Sequence, residues 1–171
     1  MENSKPFFKR ATFYLAAAAF LLTLIALALY AGNCGSEFNG DKVSSAVVAW
    51  DVIALIMLAA AVAGEVLEYF FAPDTLIGKI CGYLRLTKYA AFVALIVSFF
   101  MSILDEYSLL GTILYPIVSG TVGDPVDGTL AASYFVALAF IFVALVTSIV
   151  SALLHKKAAY KAEKQASEEI A

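Results

Sequence analysis

Trp50–Tyr69 reads WDVIALIMLAAAVAGEVLEY, an apolar run with one acid at its start, Asp51, and two near its end, Glu65 and Glu68. Twenty such residues match the thickness of a bilayer's hydrocarbon core when wound as a helix. Asp51 and Glu65 lie fourteen residues apart, or roughly 21 Å along a helix at about 1.5 Å per residue. The hydrocarbon core is about 30 Å thick. In a straight, steep helix both acids therefore cannot lie beyond it. Fourteen residues is also nearly four turns, so the two acids share one face, about 40° apart at about 100° per residue. A charged face at this depth is tolerated when it looks into a bundle rather than at lipid.

The rest of the chain is of the same kind. Of its 171 residues, 63% are hydrophobic and only 15% charged, with a mean hydropathy of +0.90. Soluble domains are about half apolar and a quarter charged, so the composition indicates a polytopic membrane protein. Four apolar stretches predict spans at about 10–31, 46–71, 86–104 and 130–154 of one membrane domain, 1–171. The third is short, and a snorkelling Lys88 lets it start earlier. The first follows Lys9 and Arg10 and holds Ala26-Leu27-Ala28, a pattern also seen in signal peptides. It is longer than a signal h-region and is read as an uncleaved span. A lipoprotein reading through Cys34 meets Asn33, where a small residue is expected.

The basic residues alternate with the spans. Lys5, Lys9 and Arg10 precede the first, Lys79, Arg85 and Lys88 follow the second, and Lys156, Lys157, Lys161 and Lys164 follow the fourth. Of all eleven Lys and Arg residues, only Lys42 falls on the other side. Such a bias places both termini in the cytoplasm and predicts a plasma (inner) membrane protein. The outer loops, 32–45 and 105–129, carry Glu37, Asp41, Asp105, Glu106, Asp124 and Asp127 instead. The tail, 155–171, is rich in helix formers, with Lys164 and Glu168 at i, i+4 spacing, and is expected to prolong the fourth helix.

The connections hold few chemical signals. Cys34 and Cys81 fall on opposite sides and are not expected to pair. No C-x-x-C motif exists, which sets aside thiol oxidoreductases. The inner segment APDTLIGKICGYLRLTKY reads as a basic turn, or as a short interfacial helix capped by Asp74 or Thr75. The second outer loop has an apolar middle, LLGTILYPIVSG, which suits a surface helix or lid, a docking surface, or a re-entrant dip. GDPVDG lacks the oxygen-ligand spacing of a calcium loop and reads as a turn. His155, without neighbouring Cys or His, makes no metal site.

Small residues form stripes. Ser133, Ala137, Ala144, Ser148 and Ser151 fall within about 60° of one another. Ala91, Ala94, Ser98 and Ser102 do the same, and Ala60 and Gly64 have small-xxx-small spacing with Ala59 and Ala63 beside them. Small faces let helices approach closely where lipid supplies no hydrophobic drive, so these are read as bundle seams. Tyr30, Trp50, Tyr107 and Tyr134 at the outer level, and Tyr14, Tyr69, Tyr83 and Tyr89 at the inner, fit an aromatic interface belt.

For the acids, Glu68 is expected to reach Lys79, Arg85 or Lys88, and Glu65 to reach Lys9 or Arg10. Asp51 has only Lys42, or helix-end amides and hydroxyls. The cores of spans one, three and four are read as uncharged, which argues against a charge relay. Asp51 and Glu65 are the candidate functional pair, with Glu68 secondary. No nucleophile–base pair, metal cluster or phosphate loop is present, so neither catalysis nor a cofactor is expected. Partners are the bilayer and a membrane-protein partner or a second copy, not nucleic acid. The layout resembles four-span scaffold proteins of the claudin and MARVEL types, without the claudin outer-loop cysteine pair. The expected role is an accessory, assembly or scaffold subunit working through its helix seams and apolar outer loop. The alternative is a small oligomeric channel or a proton- or cation-coupled transporter built on Asp51 and Glu65.

Overall fold

A computed structural model describes residues 10–34, 44–71, 75–105 and 125–170 of the chain. All four segments are helical: α1 (Ala11–Cys34), α2 (Ser45–Phe70), α3 (Leu76–Asp105) and α4 (Pro125–Ile170). Each contains a stretch long and apolar enough to cross a membrane. The second outer loop's middle, Lys42, Tyr107 and the Cys34 and His155 side chains lie outside what is described.

Local sequence explains where the helices begin and end. Phe71 closes α2 by donating its amide to the Leu67 carbonyl, 3.1 Å away, in an extended conformation. Ala72-Pro73 follows, and a residue before proline is driven out of the helical region. Thr75 opens α3: its Oγ1 accepts from the Gly78 amide at 3.0 Å, the usual side-chain cap for an otherwise unpaired N–H. Pro125 stands first in α4, where its missing N–H costs nothing.

Two boundaries differ from the sequence reading. The third helix begins at Leu76 rather than near 86 and is unbroken to Asp105. The basic segment is therefore neither a turn nor a separate interfacial helix. At about 1.5 Å per residue the helix is roughly 45 Å long, and Lys88 lies about 18 Å along it rather than at its start. The fourth helix starts at Pro125 rather than 130 and continues without interruption to Ile170.

The helices form a closed up-down-up-down ring in which each packs antiparallel to its two neighbours. Arg10 meets Glu68 at one end of the α1–α2 pair, while the Ser44 amide donates to the Tyr30 hydroxyl at the other. Ser98 and Lys88 of α3 meet Asp51 and Glu65 of α2. Tyr134 and Ala152 of α4 meet Ser102 and Tyr89 of α3. Ser151 closes the ring by donating to the Thr12 carbonyl. The end holding Arg10, Glu65 and Glu68 is called the basic end below, and the other the tyrosine end.

The interior is built from small residues. Ala19, Ala54, Leu58, Ala91, Ala94, Leu95 and Ala144 form the central cluster. A second, of Tyr30, Val47, Tyr134 and Ala137, lies toward the tyrosine end. Large apolar side chains point outward instead: Leu21, Ile56, Phe100, Phe142 and Leu153 are each more than half exposed. Patches of this extent are rare on soluble monomers. Alanine predominates inside, with Leu58, Leu95 and Ile141 beside it, while many Leu, Ile and Phe side chains face outward, the arrangement expected when lipid is the solvent.

The expected seams are placed as follows. Ala91, Ala94, Ser98, Ser102, Ala137, Ala144, Ser148 and Ser151 are buried, and Ser133 is half-buried. On α2 the buried row is Val47, Asp51, Ala54, Leu58, Ala61, Gly64 and Glu65. Gly64 is thus on the seam, Ala60 is half-buried beside it, and Ala59 and Ala63 face outward. The aromatic belt is incomplete in the same sense. Tyr14, Tyr69 and Tyr83 are exposed, but Tyr30 and Tyr134 are core residues at 1% and 3% exposure.

Candidate functional site: two buried carboxylate centres

Glu65 sits on the inward face of α2, five residues before the helix ends, and its side chain is fully buried. Its partner is Lys88 of α3, whose ammonium lies 2.7 Å from Glu65 Oε1 and is equally buried. This corrects the sequence reading twice. Lys88 does not snorkel to a surface, and the core of the third helix does carry a charge. The expected Arg10 partner is present only at the edge, 3.5 Å from Glu65 Oε2, as is the Arg85 Nε, 3.5 Å from Oε1.

Glu68, one turn further along, completes the cluster. Its Oε2 accepts from Arg10 Nη1 and its Oε1 from Arg85 Nη1, both at 2.5 Å. Arg85 was among its expected partners; Arg10 was assigned to Glu65 instead. Two carboxylates from α2, two cations from α3 and one from the start of α1 thus form one network that ties three helices together. A lone charge in an apolar interior costs several kcal/mol, and neighbours that neutralise and hydrogen-bond it remove much of that cost.

Gly64 is what lets the network close. A Cβ at this position would lie 2.9 Å from Leu84 Cβ and 3.1 Å from both the Arg85 amide nitrogen and the Cys81 carbonyl oxygen. Two of these are backbone atoms that cannot rotate aside. The missing side chain lets α3 press its backbone against α2, and this approach brings Lys88 and Arg85 within reach of the adjacent acids.

Asp51, toward the tyrosine end, is solvated differently. It is fully buried and its Oδ1 accepts from the Ser98 hydroxyl at 2.5 Å. Among the described residues its Oδ2 has no hydrogen-bond partner. Among the described residues no cation lies within 4 Å of it, so a hydroxyl takes the role that Lys88 plays for Glu65. From Ser98 a column of polar contacts leads on toward the tyrosine end. Ser102 Oγ donates to the Ser98 carbonyl at 2.9 Å, and the Tyr134 hydroxyl donates to the Ser102 carbonyl at 2.8 Å.

The two acids share the buried face of α2, but the structure does not join them. Ala54, Leu58 and Ala61 lie between them on that face, and Ala54 and Leu58 belong to the central apolar cluster. The other interior hydroxyls mostly bond backbone. Thr23 donates to the Ala19 carbonyl, and Thr147 to that of Val143. Among the described residues Ser148 Oγ is buried without a hydrogen-bond partner.

Sequence reasoning missed Lys88 and Arg10 as members of one cluster. A signal for Lys88 was present, because it lies three, ten and fourteen residues before Ala91, Ser98 and Ser102 and so falls in phase with their inward stripe. The described residues contain no group of three or more His, Cys, Asp or Glu side chains suited to a metal. Cys81 is buried and free. Comparisons with protein-family models, curated proteins and solved structures give no significant match.

Proposed function

We propose that the protein is a multi-pass membrane protein, with both termini in the cytoplasm, that works by binding rather than catalysis. On this reading it is an accessory, assembly or scaffold subunit of the plasma membrane, engaging a membrane-protein partner or a second copy. The observation that carries the reading is the basic-end network. Glu65, Glu68, Arg10, Arg85 and Lys88 are engaged with one another across three helices, so these charges serve to hold the bundle in one arrangement. The apolar cluster between Glu65 and Asp51 likewise suits a rigid body better than a conduit. Orientation follows from the basic residues: the basic end faces the cytoplasm.

Purified protein in liposomes is expected to pass neither protons nor monovalent cations. Affinity isolation from native membranes in mild detergent is expected to recover a defined membrane-protein partner or a discrete oligomer. A flux abolished by Asp51→Asn or Glu65→Gln would overturn the scaffold reading in favour of a small channel or coupled transporter. The partnerless oxygen of Asp51 is the observation that favours that second reading.

A further inference from the structure

We propose that Asp51 is a proton-binding site inside the bundle, occupied as the neutral carboxylic acid at neutral pH. It acts independently of Glu65. The inference rests on the burial and bonding of Asp51 and holds whether the protein serves as a scaffold or as a transporter.

The argument starts from the difference between the two acids. Both are fully buried on one face of one helix. Glu65 has a lysine ammonium at 2.7 Å and two arginines at 3.5 Å. Among the described residues Asp51 has one serine hydroxyl on Oδ1 and no hydrogen-bond partner on Oδ2. An ionised carboxylate left with one neutral donor in an apolar interior costs far more than a carboxylic acid in the same place, because desolvation acts on the charge. Binding one proton removes that charge.

Among the described residues no cation lies within 4 Å of Asp51. Asp51 lies on the buried row of α2 between Val47 and Ala54, hence between the two apolar clusters. Among the described residues, Tyr30 from α1 and Tyr134 from α4 pack with Val47, the neighbour of Asp51 on the buried row of α2. From α3 it meets Ser98, with Ser102 one turn on. A metal cation is a poorer fit than a proton. It wants about six oxygens around it, whereas Asp51 and Ser98 supply side-chain oxygens from only two residues. A proton needs a single acceptor. A proton carried on Oδ2 also turns that oxygen into a donor, able to bond a helix carbonyl as the Thr23 and Ser102 hydroxyls already do.

Infrared difference spectroscopy on the full-length protein tests this, comparing wild type with Asp51→Asn at neutral pH. The expected result is a carboxylic-acid C=O band in the wild type that is absent from the variant and moves to lower frequency in D2O. Ser98→Ala keeps the acid but removes its hydrogen bond, and should shift the same band upward. That shift assigns the band even if Asp51→Asn fails to fold. A carboxylate signature in place of the acid band overturns the proposal. Loss of the acid band on adding sodium or potassium at constant pH also overturns it, by showing a metal-cation site.

Discussion

Lys88 and Glu65 form a buried pair whose value lies in not being broken. Replacing both partners of such a pair with neutral groups is often close to neutral, whereas removing one leaves a stranded charge at a cost of about 3–5 kcal/mol. Arg10 and Arg85 lie 3.5 Å from Glu65 and soften the loss, so Lys88→Met should fall at the lower end of that range. The double variant Lys88→Met with Glu65→Gln should recover most of it. Unfolding midpoints in mild detergent measure both. Ser98→Ala removes the single hydrogen bond to Asp51 and should cost about 1–3 kcal/mol by the same assay, the usual penalty for leaving a buried polar group unpaired. The two serines at Ser98 and Ser151 thus differ from Thr23 and Thr147. The former bond a neighbouring helix and the latter bond their own.

Among the elements, the α2–α3 pair is the most closely constrained, and Gly64 sets the distance between its members. Gly64→Ala places a methyl group against backbone on the facing helix. The helices must part, with an overpacking cost of about 1–3 kcal/mol and a weaker Glu65–Lys88 contact. Gly82 is the matched control. It lies on exposed α3 surface, and a Cβ there meets nothing within 4 Å. Gly82→Ala should therefore stabilise by about 0.5–1 kcal/mol through helix propensity alone. Opposite signs for the two glycines, read in parallel thermal melts, are the expected outcome; a neutral Gly64→Ala would mean that the helices do not approach so closely. Helix existence was readable in advance because four long apolar runs leave little alternative. The start of α3 was not. Its first ten residues are mixed in pattern, and what places them on one continuous helix packed on α2 is tertiary: the Arg85–Glu68 pair and the close approach of Cys81, Leu84 and Arg85 to Gly64, with Thr75 capping the start.

For the whole molecule, the distribution of Lys and Arg makes a topological prediction. Reporter fusions at both termini, and cysteine probes in the 32–45 and 105–129 loops, should place the termini in the cytoplasm and the loops outside. Reversing the bias by adding lysines to the first outer loop should produce mixed orientations. The amino-acid sequence by itself determined the all-helical class and the number of apolar helices, because hydropathy and length are properties of a segment that hold whatever it packs against. It also showed that Asp51 and Glu65 share a face and are spaced too closely along the helix for both to lie beyond the hydrocarbon core, since helix geometry alone fixes both. It did not determine what each acid meets. Glu65 and Lys88 are separated by 23 positions, and Asp51 and Ser98 by 47. Which inward residue faces which depends on the register between helices, set by the close approach at Gly64. Only the tertiary structure therefore decided that one acid is neutralised by a lysine and two arginines while its companion has a single hydroxyl. The interior apolar cluster that divides them arises in the same way, from four helices contributing alanines at one level.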